Sequence, residues 1–420
     1  MHSSMTATIK YNKYDISLFL IIVSTIYGNY GLFHPTTILS ICFFPQLINH
    51  SYLFKLKTIK PFVSFFLLWI VYALVSYSWT PLVSNGNRGM LSLLINSIIF
   101  LEILVFATKA NHPIRIIVNA WVCAFLLTSV IALGEITLNY HLPSARIESD
   151  EFVETRGDEY ASVTFYNPNT YCYFMCLTFP FILYKLSQCK SKGGYLVNIG
   201  IVLLIIYIMS RNSSRGGLLT LLIMITTYYI FKIKGGSYRK RLFLLLGLLV
   251  IIILFIQYGE LLFSTLFLRM SQKGLLEDNA RLVLWYSSWL SFVDSYGFGT
   301  GVGSMRYVLG HTNENTLTIV YSHNMILEIL LEYGVIIVTG LLLFLMKLYK
   351  NAKRITDKTC KAIVIGSLLS FPFYSVINSE NLTPFFIWVF FATIYVISNS
   401  DLNNRSIDES AICDKRISLG

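Results

Sequence analysis

Residues 194–231 read GYLVNIGIVLLIIYIMSRNSSRGGLLTLLIMITTYYIF, and this stretch decides the fold class. Two apolar runs flank a short polar turn, and each run is about 17 residues long, enough to cross roughly 30 Å of hydrocarbon as a helix. Similar runs recur along the 420-residue chain, of which 55% is hydrophobic and only 13% charged. A soluble domain typically carries about 25% charged residues. The sequence therefore predicts an all-α polytopic membrane protein.

The hydropathy pattern predicts about twelve transmembrane helices, within a range of roughly ten to thirteen. We expect a single transmembrane domain over residues 1–400 and a cytoplasmic tail over residues 401–420. Two of the connecting loops are long, at about 136–165 and 259–323. The predicted helices cover residues 15–32, 36–53, 62–79, 90–108, 115–135, 166–184, 194–210, 215–231, 242–258, 324–346, 362–378 and 383–399.

The net charge of +11 is distributed unevenly between the loops. Of the 33 lysines and arginines, 24 fall in the alternate segments that include the N-terminus and the tail. Because positive charge marks the cytoplasmic side of a membrane protein, both termini should face the cytoplasm and both long loops should face outward. The predicted membrane topology then explains the net positive charge, and no nucleic-acid partner needs to be invoked. The remaining basic residues oppose this rule, which makes them candidates for binding an anion.

Two of these outward residues, Arg211 and Arg215, lie in the sequence RNSSRGG between two predicted helices. A serine can cap the second helix, whose first amides already favour an anion. The two glycines leave room for a substrate or another backbone to come close. Arginine matches the planar geometry of phosphate. We expect a phosphate site here; the alternative is that these arginines extend to lipid phosphates at the membrane surface.

A second polar group begins the helix predicted at 324–346. His323 and Asn324 lie at its outer end, and Glu328 and Glu332 follow one and two turns deeper on a shared face. Histidine is the side chain most easily poised to accept a proton near neutral pH. We expect His323 to be catalytic and Asn324 and Glu328 to bind substrate. The alternative is an interfacial histidine with both carboxylates paired to arginine for structure.

The long loop ahead of His323 contains a further outward arginine, Arg281. Leu282, Trp285 and Trp289 recur at helical spacing, which predicts an amphipathic helix over 281–293 lying in the outer membrane interface. The glycines between residues 297 and 303 do not follow the GxGxxG pattern of nucleotide-binding loops, so we interpret them as a tight turn.

Metal chemistry is not indicated by the sequence. The acidic pair Glu148 and Asp150 could hold a divalent ion, but a solvated acidic loop is the simpler interpretation. Histidines and cysteines do not occur at metal-binding spacings. We therefore expect no metal and no cofactor.

Four short patches, taken in order, resemble the bacterial O-antigen ligase/polymerase superfamily. They occur between about residue 160 and residue 340, and the rest of the chain resembles the family only in general character. The patches are Phe165-Tyr166-Asn167-Pro168-Asn169, Ser214-Arg215-Gly216, Arg281 with Trp285 ahead of the glycines, and His323-Asn324 followed after nine residues by Gly334.

This resemblance implies a glycosyltransferase at the outer face of the bacterial inner membrane that uses a glycan carried on undecaprenyl diphosphate. Arg215 and Arg281 would bind the diphosphate, with Arg211 added as a third cation. His323 would position or deprotonate the acceptor hydroxyl. A chain-length regulator or a flippase of the same pathway would be the expected protein partner.

Two activities divide the superfamily. Ligases, which transfer glycan to lipid A-core, usually carry x-x-Gly-Thr after the glycine at position 334, whereas Ile337 and Val338 stand there in this chain. Arg146 and Gly157 have ten residues between them, as in an Arg-x10-Gly pattern of polymerases, and Arg146 is therefore a candidate substrate-binding residue. We favour a polymerase of lipid-linked repeat units, with a ligase as the alternative. A flippase or transporter is disfavoured, because its polar sites would lie near the membrane midplane.

Overall fold

The computed structural model describes residues 10–27, 34–142, 160–232, 279–312 and 320–399. Within these ranges the chain forms thirteen α-helices and no β-strand. The helices are α1 (Lys13–Ser24), α2 (Pro35–Asn49), α3 (Lys60–Ser76), α4 (Val83–Lys109), α5 (Pro113–Leu138), α6 (Pro168–Ser187), α7 (Lys192–Arg211), α8 (Arg215–Lys232), α9 (Asn279–Asp294), α10 (Met305–His311), α11 (Met325–Arg354), α12 (Lys358–Tyr374) and α13 (Phe385–Ser398).

The predicted all-α polytopic membrane fold is confirmed. Eleven of the twelve predicted membrane helices coincide with helices of the structure, and the twelfth, at 242–258, lies outside the described residues. Among the described helices, α4, α5, α7 and α11 are long and apolar enough to cross a membrane, and α3 and α13 are shorter apolar helices. The segment predicted as an amphipathic helix at 281–293 forms α9.

Helices α6 and α13 form the centre of the bundle. Every residue from 386 to 398 is buried, and α13 packs against α4, α5, α6, α11 and α12. Aromatic rings fill this core, for example Trp121 stacked on Phe181 with centroids 5.3 Å apart. Outer helices carry large apolar side chains on their free faces, such as Val71 at 55% and Val130 at 72% exposure. Such a surface fits hydrocarbon and is too extensive for a soluble monomer.

The helices define two ends of the bundle. At one end, which we call the site end, α3, α5, α7 and α12 finish and α4, α6, α8, α11 and α13 begin. The described lysines all lie at the opposite end, which we call the basic end. Along the described ranges, the site end carries no lysine and five arginines: Arg88, Arg211, Arg215, Arg281 and Arg306. The charge asymmetry of the sequence therefore separates two ends of one bundle.

The patch FYNPN is a helix start held at the site end. Asn167 accepts a hydrogen bond from the Asn169 amide at 2.8 Å, and Pro168 occupies the first position of α6, where its missing N–H costs nothing. The preceding residues are fixed by Glu135 at the end of α5, whose Oε2 accepts the amide of Ser162 at 2.8 Å. The FYNPN residues, which carry one part of the family resemblance, therefore fix the position of the backbone at the start of α6.

Candidate functional site

Residues 375–384, between α12 and α13, form a loop that we call the hub loop because the site end is built around it. The amides of Asn381 and Leu382 donate to Glu328 on α11 at 2.7 and 3.1 Å. Asn96 on α4 donates to the carbonyl of Leu382 at 3.0 Å. Side chains from two membrane helices thus fix the position of the hub loop.

Arg281 reaches the hub loop from the first turn of α9. Its Nη1 donates a hydrogen bond to the carbonyl oxygen of Val376 at 3.1 Å, and the side chain is half-buried. Helix α9 also packs along α11. Helix α9, which carries Arg281, therefore lies against the helix that follows His323.

The turn that precedes Arg215 is held by a buried asparagine. Asn212 exchanges two hydrogen bonds with the backbone of Ala161, at 2.7 Å from the Ala161 amide and 2.8 Å to its carbonyl. Ser213 has a positive φ of 52°, which reverses the chain, and the Ser214 hydroxyl accepts the Gly217 amide at 3.3 Å. The predicted serine cap of the second helix is therefore present at Ser214.

Gly216 brings the start of α8 against the hub loop. A Cβ at this position would lie 3.3 Å from Cγ1 of Ile377, a tight contact that an added side chain would have to push aside. The space left by the missing side chain of Gly216 is therefore occupied by Ile377 of the hub loop. Arg215, immediately before it, and Arg211, in the last turn of α7, are both half-buried at the same end of the bundle.

His323 and Asn324 form the turn that begins α11. Asn324 is the N-cap, and its Oδ1 accepts the amides of Ile326 and Leu327 at 3.0 and 3.3 Å. His323 has a positive φ of 49°, a conformation that histidine adopts more readily than most residues. The Asn324 side-chain oxygen is used by the helix, and the cap sets the direction in which the chain enters α11.

Three predicted catalytic residues belong to elements that meet at residues 375–377. Arg281 donates a hydrogen bond to the carbonyl of Val376. Gly216, which follows Arg215, packs against Ile377. The amide of Met325, two residues after His323, donates to the carbonyl of Ser375 at 3.1 Å. These elements are distant in sequence and share one neighbour. Of the other predicted residues, Arg146 lies outside the described ranges.

Glu328 holds the hub loop. Its side chain is 1% exposed, and its two oxygens accept three hydrogen bonds from the hub loop, two from Asn381 and one from Leu382. A carboxylate at this depth is costly unless such donors surround it. The same residue lines a polar cavity described below. Glu328 therefore acts directly on the position of the loop that Arg281 contacts.

The glycines of residues 297–303 form a tight turn that docks into a break in α11. Gly334 interrupts the helix with φ 67° and ψ −165°. The amides of Thr300 and Gly301 donate to the carbonyls of Leu331 and Glu332 at 2.6 and 3.0 Å. A Cβ on Gly299 would lie 2.6 Å from the Gly334 nitrogen, so neither of the two crossing segments has room for a side chain here. The spacing from His323-Asn324 to Gly334 is thus explained by packing, because it places Gly334 where the glycine turn docks on α11.

Glu332 completes this docking. Its oxygens accept the amides of Gly303 and Met305 at 3.1 and 3.2 Å, at the point where the turn leads into α10. Both backbone donors would otherwise be unsatisfied at a buried helix start. The prediction left open whether this carboxylate pairs with arginine; in the structure its bonded partners are these backbone amides.

Helix α9 turns a face that contains one leucine and two serines toward the protein. Leu284, Ser287 and Ser288 are fully buried, whereas Leu282 is 55% and Trp289 49% exposed. The small residues let α9 approach α11 closely, and the Ser288 hydroxyl is satisfied by the Leu284 carbonyl at 2.7 Å. The exposed apolar face is the one expected for a helix at a membrane surface.

A cavity of about 50 Å³ lies behind the hub loop, and its polar lining was missed by the sequence reasoning. One stripe of α4 faces it, with Asn85, Arg88, Ser92 and Asn96 at successive helical turns. The opposite walls come from α3, α11 and α13 and include several aromatic rings. The signal was available in the sequence, because these polar residues recur at positions three and four apart, which places them on one face of a helix.

An ion pair closes one side of this cavity. Arg306 on α10 lies 3.2 Å from Glu380 of the hub loop, and its guanidinium lies over the Tyr321 ring at 4.9 Å. Burial raises the pKa of the Tyr321 phenol above its ordinary value, although the neighbouring Arg306 opposes this shift. The tyrosine is therefore a neutral ring under Arg306 at physiological pH.

The structure bears on metal ligation only for the part of the chain that it describes. Within it, no three His, Cys, Asp or Glu side chains lie close enough together to hold an ion. The site that the helices create is instead a set of arginines, one histidine and buried carboxylates around a loop. This arrangement suits an anionic substrate at the surface of a membrane bundle.

These features define the class of protein: an all-α polytopic membrane protein in which five of the seven described arginines lie at one end of the bundle. The family model described as O-antigen ligase matches residues 199–345, the region that contains Arg211, Arg215, Arg281 and His323. The teichuronic acid biosynthesis protein TuaE of Bacillus subtilis (strain 168) is 27% identical over 367 residues, which are 84% of this chain and 74% of that protein. The resemblance to the O-antigen ligase/polymerase superfamily is confirmed, and it supports a role of the ligase or polymerase type in surface polysaccharide synthesis.

Proposed function

We propose that this protein is a glycosyltransferase that polymerises oligosaccharide repeat units carried on undecaprenyl diphosphate, at the outer face of the cytoplasmic membrane. The observation that carries the proposal is the meeting of three elements at residues 375–377, which brings Arg215, Arg281 and His323 to one end of the bundle. The orientation rests on the charge asymmetry, because the lysine-rich end is the one expected in the cytoplasm.

The arginines supply what the leaving group needs. When the bond between the sugar C1 and the diphosphate oxygen breaks, the electron pair leaves with the lipid diphosphate. Arg215 and Arg281 present permanent positive charge and planar donor groups that stabilise this developing charge. Arg211 adds a third cation from the preceding helix. Fixed arginines of this kind allow the departure without proton transfer to the leaving oxygen.

His323 acts on the acceptor. A sugar hydroxyl attacks C1 from the side opposite the diphosphate, and His323 orients this hydroxyl or takes its proton as the new glycosidic bond forms. Direct displacement inverts the configuration at C1. Asn324 contributes by capping α11, which fixes the backbone conformation of its neighbour. Glu328 contributes by holding the hub loop on which the arginine side of the site is built.

A ligase is the second candidate. The description of the matching family model favours it. The residues after Gly334 favour polymerisation instead, because Ile337 and Val338 replace the Gly-Thr usual in ligases, and both lie on a buried face of α11. TuaE belongs by name to teichuronic acid biosynthesis, a surface polymer, which is compatible with either activity.

Deletion of the gene distinguishes the candidates. We expect the deletion strain to display surface glycan of one repeat unit, and the plasmid-borne wild-type gene to restore long chains. Lipid-linked polymer that accumulates without transfer to its surface acceptor would instead identify a ligase. Unchanged surface glycan and unchanged lipid-linked intermediates would contradict both.

A further inference from the structure

The cavity behind the hub loop contains a buried donor and a buried acceptor that the described residues leave unsatisfied. The indole Nε1 of Trp69 and the amide Oδ1 of Asn96 have no hydrogen-bond partner within those ranges. Trp69 is 2% and Asn96 is 1% exposed, and both line the cavity. Buried polar groups are almost always bonded in native proteins, so a pair of exceptions in one cavity requires an explanation.

The orientation of the Asn96 amide is fixed by its neighbours. Its Nδ2 donates to the carbonyls of Leu382 and Thr383 at 3.0 and 3.4 Å. The opposite orientation would set the amide oxygen against two carbonyl oxygens, which is unfavourable. Because the NH₂ group faces the hub loop, Oδ1 is the atom that Asn96 presents on its other side.

The pair selects for a group that both accepts and donates. An anion would satisfy the Trp69 N–H and leave Asn96 unsatisfied, and a cation would do the reverse. A hydroxyl satisfies both at once. At about 50 Å³ the cavity has room for a hydroxyl group of a sugar, not for a whole sugar ring, and Phe66, Tyr333 and Trp388 form its apolar walls. Ligand sites commonly combine such apolar walls with a few placed polar groups.

The cavity is continuous with the surface of the site end. On α4 its lining passes from exposed Arg88 through half-buried Ser92 to buried Asn96. The polar stripe from residue 85 to residue 96 extends about 16 Å along the helix at 1.5 Å per residue. At its deep end Asn96 bonds the same hub loop that Arg281 contacts.

We propose that this cavity is a glycan subsite, in which Trp69 donates to, and Asn96 accepts from, a hydroxyl of the repeat-unit sugar. The inference rests on the proposed function and deepens it by assigning a place for the sugar beside the diphosphate site. Arg88 and Ser92 line the approach to the subsite and offer further donors to the same sugar. Glu328 connects the two sites, since it lines this cavity and holds the hub loop.

Trp69→Phe tests the subsite, because it removes the indole N–H, together with the five-membered ring that carries it, and keeps an aromatic side chain. The probe is the repeat-unit oligosaccharide released by acid from the strain's own surface polymer, titrated against the full-length protein in lipid nanodiscs. We expect the Kd to rise about 5-fold, the equivalent of one neutral hydrogen bond. The Tm should fall, because the lost ring leaves a space among the aromatic side chains that pack around Trp69. Trp289→Phe, on the exposed face of α9, should leave the Kd unchanged.

Trp388→Phe is a matched control for stability. Both substitutions remove the same ring volume, but the Trp388 indole N–H is bonded to the Leu382 carbonyl at 3.0 Å. Trp388→Phe should therefore lower the Tm more than Trp69→Phe does, and raise the Kd less. An unchanged Kd in Trp69→Phe, or no oligosaccharide binding by the wild type, would overturn the subsite. Glycan transfer by the same wild-type preparation tests the proposed function separately, so each proposal can fail alone.

Discussion

The guanidinium of Arg281 donates a hydrogen bond to the carbonyl oxygen of Val376, 95 residues further along the chain. This bond joins the long loop ahead of α11 to the hub loop between α12 and α13. The same loop meets the start of α8 and the start of α11 within two residues. The site end is thus assembled by contacts between segments that are remote in sequence.

Arg281→Ala should reduce glycan transfer by about 100-fold or more, the usual effect of removing one donor that stabilises transition-state charge. Arg281→Lys should recover only part of the activity, because lysine lacks the planar fork. The measurement is product formation per unit of purified protein. Arg354→Ala, at the exposed basic end of α11, is the matched control and should retain full activity.

Gly334→Ala should destabilise the protein, because the position has φ 67° and the added Cβ would overlap the Gly297 carbonyl oxygen. The backbone strain alone is worth about 1–3 kcal/mol. Thermal unfolding in detergent, followed by intrinsic fluorescence, reports the loss as a lower Tm. Gly200→Ala on α7 provides the control, since a Cβ there meets nothing within 4 Å. An equal Tm for the two variants would refute the docking of the glycine turn.

Glu328→Gln should loosen the hub loop, because an amide NH₂ would replace one of the oxygens that accept from Asn381 and Leu382. Leaving such buried donors unsatisfied costs about 1–3 kcal/mol. We expect a lower Tm and reduced transfer together. Asp294→Asn, an exposed carboxylate at the end of α9, should change neither. Loss of transfer with an unchanged Tm would instead indicate that Glu328 acts on substrate.

Asn212→Ala should uncouple the turn before Arg215 from the segment at Ala161, since both hydrogen bonds between them are lost. Two buried bonds of about 1 kcal/mol each predict a loss of roughly 2 kcal/mol in stability. The comparison is Asn87→Ala, whose side chain is exposed and should matter little. Protease sensitivity of the folded protein in nanodiscs measures the difference, and equal sensitivity of both variants would argue against this anchor.

Several parts of this architecture could be predicted from the sequence, because short local patterns of residues encode them. The apolar runs defined the helices, and the arginines of the RNSSRGG turn and α9 were prominent because they oppose the positive-inside rule. The glycines at 297–303 were correctly interpreted as a turn. Their partner at Gly334 was not predicted, because a break in an apolar helix leaves no mark in hydropathy.

The hub loop was missed for a different reason. Its importance comes from what it contacts, and no local pattern encodes that Glu328 accepts from Asn381 or that Arg281 reaches Val376. Asn96 could have been noticed as a polar residue inside an apolar helix. Its role depends on the carbonyl of Leu382, which only the fold brings beside it.

The most direct test is a reconstituted reaction with wild-type protein and His323→Ala, each supplied with the strain's undecaprenyl-diphosphate-linked repeat units in liposomes. The products to measure are the ladder of glycan lengths and the released undecaprenyl diphosphate. We predict that the wild type forms both and that His323→Ala, present at equal level in the membrane, forms neither. A ladder formed by His323→Ala at the wild-type rate would contradict the account, as would a wild-type protein that releases no undecaprenyl diphosphate.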